Sequence, residues 1–201
     1  VRTLLQQSGV AVIETWDTDG DPIDMAVGFS NFTAGYHVGR LLCQRGCKRI
    51  AFVGGSSAQD SRAHSRYLGL CKAVKKANLP KVNRVNLQLP MSSPAGVRGL
   101  DAVLHNAPQT DAIFFSADTM ALAAILECNR RGIKVPDQLA MCGFGDYELA
   151  SMVSPSLTTV RTRPEEMGAT AAQMLLARAG GTENTESTIR LDHQLIQRES
   201  A

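Results

Sequence analysis

Short apolar runs alternate with longer amphipathic stretches along this chain, and that alternation restricts the fold more than any other feature. The apolar runs are Val10–Ile13, Met25–Phe29, Ile50–Val53, Ala112–Phe115 and Leu139–Cys142, joined by the mixed segments Arg84–Leu89, Leu157–Val160 and Thr188–Leu191. They read as strands. Between them lie helix-patterned segments from Thr33 to Arg45, Arg62 to Asn78, Pro94 to His105, Asp118 to Arg131, and Pro164 to about Gly180. Asn31 or Thr33 can cap the first, Ser92 or Ser93 the third, and Gly132 closes the fourth. Strand–helix–strand repetition dictates right-handed crossovers and parallel sheets covered by helices on both faces. Ligands of such sheets bind beyond the carboxyl ends of the strands. The loops that matter are therefore Glu14–Asp17, Ser30–Thr33, Gly54–Arg66, Leu89–Ser93, Ser116–Asp118 and Phe144–Tyr147.

The chain has 201 residues, enough for one large domain or two lobes with their own cores. A formal net charge of +2 lacks the basic excess of a surface built to neutralise phosphates, so DNA binding is expected to lie outside this chain. The main basic cluster, Lys72, Lys75 and Lys76, reads as a solvated helix face. Cys43, Cys47, Cys71, Cys128 and Cys142 are irregularly spaced and suggest free, mostly buried thiols in a reducing cytoplasm. No metal site and no cofactor are expected. No stretch is apolar enough to cross a bilayer, and no signal peptide is visible. Val1–Gln7 reads as the tail of a helix already under way, so the chain is expected to be part of something longer.

Several loop residues could carry chemistry. Arg62 and Arg66 stand at i and i+4, on one face near a helix N-terminus, where cations oppose the helix dipole. Two guanidinium forks there suit a carboxylate or phosphate. They could equally be surface arginines paired with Asp60 or a neighbouring acid. Asp118 caps a helix, lines a pocket, or does both. Asp146 follows two glycines and either accepts from ligand hydroxyls or caps a turn. Trp16 either stacks on a sugar face or packs between lobes. Catalytic constellations are missing. There is no Gly-x-Ser-x-Gly elbow, and Gly54-Gly55-Ser56-Ser57 lacks the Gly-Lys ending of a phosphate-binding loop. The four histidines are scattered, with only His64 in a candidate loop. The chain is expected not to be an enzyme.

Three stretches together resemble the effector-binding core of lactose/galactose-repressor (LacI/GalR) family transcription regulators. The first is Val27-Gly28-Phe29-Ser30-Asn31-Phe32-Thr33-Ala34-Gly35, continuing through Arg45-Gly46-Cys47-Lys48-Arg49 to Gly54-Gly55. The second is Ser116-Ala117-Asp118-Thr119-Met120-Ala121-Leu122, then Gly132-Ile133-Lys134-Val135-Pro136-Asp137. The third is Gly143-Phe144-Gly145-Asp146 through Pro155-Ser156-Leu157-Thr158-Thr159-Val160-Arg161. They match in order and spacing over nearly the whole chain.

The resemblance implies an α/β, type I periplasmic-binding-protein-like fold of two lobes with the effector in the cleft. It places a truncated N-terminal lobe at 1–29 plus 162–188 and a C-terminal lobe at 30–161 plus 189–201. The helix-turn-helix head lies outside the chain. Arg66 matches a family arginine that contacts effector, and Arg62 lies in the same loop. Glu14, Trp16, Asn31, Met91, Asp118 and Asp146 complete the expected effector-binding set. Sugar-binding members usually carry Asp at the position of Gly145, and many carry Asp at that of Ser30. Loss of these acids beside two arginines favours an anionic effector. Gly-Phe-Gly-Asp resembles the gluconate-repressor branch, which implies a sugar acid such as gluconate. The expected partners are that small molecule, operator DNA through the missing head, and a second copy in a homodimer. A membrane is not expected. A secreted solute-binding protein of the same fold and a small α/β enzyme on a sugar acid are the rival readings.

Overall fold

The computed structural model describes residues 1–55, 60–181 and 186–201. The chain divides into two compact units, one of residues 1–31 and 162–193, the other of residues 32–161 and 194–201.

The smaller unit holds α1 (Arg2–Gln7), β1 (Ile13–Thr15), β2 (Met25–Gly28), α6 (Pro164–Ala179) and β8 (Thr188–Arg190). Its three strands form a parallel sheet in the order β1-β2-β8. The central strand is fully buried, as its continuous apolar run requires. Helix α6 starts at Pro164 and packs on β1 and β2 through Met167, Ala171 and Met174. Strand β1 begins later than the apolar run Val10–Ile13 suggests. Its register is set by pairing, with Ile13 opposite Met25 and Thr15 opposite Val27, and not by its own hydrophobicity.

The larger unit holds α2 (Asn31–Gln44, whose first residue belongs to the smaller unit), β3 (Ile50–Gly54), α3 (Ser61–Lys76), β4 (Asn83–Asn86), α4 (Ser93–Asn106), β5 (Ala112–Phe115), α5 (Asp118–Arg131), β6 (Ala140–Cys142), a 3-10 turn at Glu148–Ser151, β7 (Thr159–Arg161) and β9 (Gln194–Ile196). Its sheet runs β4-β3-β5-β6, all parallel. Isolated parallel bridges, Cys142 to Thr158 and Gly145 to Arg161, carry it on towards β7.

Strand alternation divides this unit's core. Ala51 and Val53 of β3 and Ile113 and Phe115 of β5 join Leu100, Val103, Met120 and Ile125 from α4 and α5. Their strand neighbours face the opposite side, where Phe52 packs edge-on against Phe114 at 5.4 Å and at a tilt against Tyr67 of α3 at 5.6 Å. Helices α2 and α3 touch backbone to backbone. A Cβ on Gly35 would meet the Arg66 carbonyl oxygen at 1.9 Å, and one on Gly69 would meet that of Phe32 at 1.9 Å. Only glycine permits this approach.

Three expectations need correction. Strand β9 did not show in the sequence; it pairs antiparallel with β7, Thr159 opposite Ile196. The last crossing between units falls after His193 and not before 189, because β8 hydrogen-bonds to β2 with Ile189 opposite Val27. Asp118 is not a helix cap: Ala117 holds that position with no side-chain bond, and Gly132 closes the same helix in the left-handed conformation. Burial pushes the Cys47 and Cys128 thiols up to about 11, and the Cys142 thiol up as well, so these groups are protonated at neutral pH.

Candidate functional site

In the larger unit, the carboxyl ends of β3, β5 and β6 converge on one rim. Arg66 reaches it from α3, whose N-terminus is capped by Asp60 accepting from the Ala63 N–H at 2.9 Å. Asp60 serves as this cap, and among the described residues it makes no ion pair with Arg62. Arg66 is only 5% exposed. It donates to the Ser116 carbonyl at 3.3 Å, and its guanidinium carbon lies 4.1 Å from the centre of the Phe144 ring. The ring supports and orients the cation. The Ser116 hydroxyl lies within donating reach of two sulfurs, Met91 at 3.5 Å and Met120 at 3.7 Å. Met91 is half exposed at the edge of this cluster. Arg62, one turn before Arg66, points to solvent. The i, i+4 spacing therefore gives two different environments, one arginine buried against the rim and one outside it.

Both nearby carboxylates serve other partners. Asp118 is completely buried. Its Oδ1 accepts from Thr159 Oγ1 at 2.5 Å and its Oδ2 from the Tyr147 N–H at 2.9 Å. Burial pushes its pKa up, and the hydrogen bonds from Thr159 and Tyr147 oppose that rise. Asp118 therefore ties the β5–α5 turn to the Phe144–Tyr147 loop and to β7. Asp146 has the positive φ of 55° that its turn imposes. It is gripped by Arg161 Nε at 2.5 Å and Arg198 at 2.7 Å. Burial opposes its charge, but the hydrogen bonds from Arg161 and Arg198 win and hold its carboxyl below the usual range. Arg198 comes from the segment after β9 and was not among the residues the sequence suggested. Its only signal is a cation near the C-terminus, which no motif marks.

His64 is also tied. Arg84 donates to its Nδ1 at 3.1 Å and lies 4.5 Å over the ring of Tyr67. Among the described residues, no group of three or more His, Cys, Asp or Glu could hold a metal ion. The part of the Gly54–Arg66 loop from 56 to 59, including the Ser56-Ser57 pair, lies outside the described residues.

The smaller unit carries Glu14, Trp16 and Asn31. Glu14 accepts from the Ile23 N–H at 2.5 Å and lies 3.9 Å from Arg2. Trp16 has a φ of 73°, and its ring stands edge-on to Phe29 at 6.3 Å. The buried Asn31 amide donates to the Trp16 carbonyl at 2.8 Å. Arg190 of β8 holds the same loop by two bonds to Thr18, each 3.0 Å long.

The larger unit thus sets a buried arginine at the carboxyl-end rim of a parallel sheet. Residues 40–201 match the periplasmic binding protein-like domain family. The chain belongs to that family, in the form carried by LacI family transcriptional regulators. A LacI family regulator from Silicibacter pomeroyi superposes with a TM-score of 0.89 at 30% identity, covering 99% of this chain and 72% of that one. The regulator GntR from Chromobacterium violaceum superposes with a TM-score of 0.91 at 33% identity, covering 98% of this chain and 72% of that one. Among curated proteins, the HTH-type transcriptional regulator GntR of Pseudomonas aeruginosa is 34% identical over 99% of this chain. The chain spans 58% of that relative's length.

Proposed function

We propose that the chain is the effector-sensing part of a bacterial transcriptional repressor, and that its effector is a small sugar acid of the gluconate type. One observation carries the anionic half of this reading. The buried Arg66 guanidinium is set against a carbonyl and an aromatic ring, while Asp118 and Asp146 are committed to Thr159, Tyr147, Arg161 and Arg198. Gly145 supplies no further acid. A carboxylate entering this rim finds a pre-oriented donor fork; Arg161 and Arg198 offset the charge of Asp146, and burial disfavours the ionised form of Asp118. Met91 gives the ligand a soft apolar wall. Arg62, exposed one turn earlier on the same helix, adds only long-range positive potential to the approach.

The protein acts in the cytoplasm, on operator DNA, through a head domain beyond these residues. Effector lowers operator affinity by binding one arrangement of the regulator better than the other. A homodimer provides the two heads. Leu126 of α5 and Leu149 and Met152 around the 3-10 turn are large exposed apolar side chains suited to that contact. Gel-shift titration of operator with gluconate tests the reading: release of DNA supports it, and release by neutral glucose alone overturns the sugar-acid assignment.

A further inference from the structure

Charge is segregated along this chain in a way its net value hides. Residues 32–88 contain eleven Lys and Arg and one acid, Asp60; the remainder contains ten Lys and Arg and eighteen acids. Helices α2 and α3, which pack through Gly35 and Gly69, contain no Asp or Glu at all. Elsewhere most of the cations are paired with acids. Seven of the ten outside this segment make ion pairs: Arg2, Arg130, Arg131, Arg161, Arg163, Arg178 and Arg198. Among the described residues, Arg40, Lys72, Lys75 and Lys76 make none, and all four are exposed.

These four cations line two adjoining grooves between α2 and α3. The first, about 570 Å³, is bounded by Phe32, Tyr36, Lys72, Lys75 and Lys76. The second, about 400 Å³, continues past Tyr36 to Arg40 and Lys76. Lys75 and Lys76 sit in the last turn of α3, where cations complement the helix dipole. That accounts for two of the four. It does not account for Lys72 or Arg40, nor for two neighbouring helices devoid of the glutamates that usually pair with surface lysines. Nor does it explain an aromatic floor beneath them, with Phe32 38% exposed.

We propose that the α2–α3 face is a docking surface for an acidic protein segment. Such a segment seats an apolar side chain between Phe32 and Tyr36 and its carboxylates against Lys72, Lys75, Lys76 and Arg40. The aromatic floor decides between polyanions. A phosphate backbone uses the charged walls and gains nothing from an apolar trough, whereas an amphipathic helix uses both. The groove lies along the C-terminal half of α3, whereas Arg66 projects from its N-terminal half, so the partner and the effector engage different parts of the helix.

The test uses a fluorescently labelled amphipathic peptide with leucine along one face and glutamate elsewhere. The controls are a random-sequence duplex DNA and the unlabelled protein in sedimentation. The protein is expected to bind the peptide and to lose about tenfold in affinity on moving from low salt to physiological ionic strength, as screened surface contacts do. The variant Lys72→Gln/Lys75→Gln/Lys76→Gln removes binding. Tyr36→Ser weakens it. Both keep the wild-type melting temperature and effector titration. Absent peptide binding, or undiminished binding by the triple variant, overturns the proposal. Tighter binding of duplex DNA overturns it in favour of nucleic acid. Salt-sensitive self-association abolished by the triple variant overturns it in favour of a second copy of the chain.

Discussion

Thr159 Oγ1 donates to Asp118 Oδ1 across 2.5 Å in the sealed interior of the larger unit. The bond joins the first residue of α5 to a strand that follows it after a long excursion through β6. The same carboxylate accepts the Tyr147 N–H at 2.9 Å. One side chain thus closes the loop after β6 over the rim. Asp118→Ala strands a buried hydroxyl and a backbone donor, and should lower unfolding free energy by about 2–4 kcal/mol. Urea titration measures this. Burial raises the Asp118 pKa, so its ionised form is disfavoured in the folded state. Its own contribution to stability is therefore largest below the ordinary aspartate range and is lost as pH rises through the raised value.

Asp146 has the opposite sign. Arg161 and Arg198 hold its carboxyl below the ordinary value, against burial, so its contribution is complete above the ordinary aspartate pKa of about 3.9 and is lost as pH falls through the depressed one. Asp146→Asn should flatten the loss of stability on the acid side of that range. Chemical unfolding at a series of pH values checks it; an unchanged slope would remove Asp146 from the acid response.

The α2–α3 contact predicts a contrast between glycines. Gly35→Ala and Gly69→Ala each drive a methyl group into a backbone carbonyl 1.9 Å away. Over-packing of that kind costs about 1–3 kcal/mol or more and shifts the helix that carries Arg66, so both stability and effector affinity should fall. Gly168, within α6, has nothing within 4 Å of its Cβ position. Gly168→Ala should stabilise by up to about 1 kcal/mol. Thermal melts of the three variants separate packing from propensity.

The exposed apolar face gives a prediction for assembly. Leu149→Asp with Met152→Asp should convert a dimer into monomers in analytical ultracentrifugation while leaving the circular dichroism spectrum intact. A monomeric wild type would remove that face from the dimer account.

The α/β class was legible because buried parallel strands declare themselves as short apolar runs, and most of these lie where the sequence put them. The failures share a cause. Strand β9, Gln194–Ile196, is too short for a periodic pattern, and its partner β7 is remote in sequence. Strand β1 took its register from β2 and not from its own most apolar residues. For the site, spacing identified Arg62 and Arg66 as a pair but could not reveal that packing against Ser116 and Phe144 buries only one of them. Asp118 reads as a cap from its place before a helix. Its true partners, Thr159 and Tyr147, are brought to it by tertiary structure. The unbalanced charge of α2 and α3 was visible residue by residue, but a small net charge concealed it.

The central claim is that Arg66 receives an anionic sugar-derived effector. Calorimetric titration of wild-type protein and Arg66→Ala with gluconate, 2-ketogluconate, 6-phosphogluconate and neutral glucose tests it most directly. The account predicts that wild type binds at least one acid and not glucose, and that Arg66→Ala, still folded, loses about 2 kcal/mol or more of that binding, as expected when one partner of a charge-assisted contact is removed. Binding of glucose in preference to every acid, or an acid bound equally well by the Arg66→Ala variant, would contradict it.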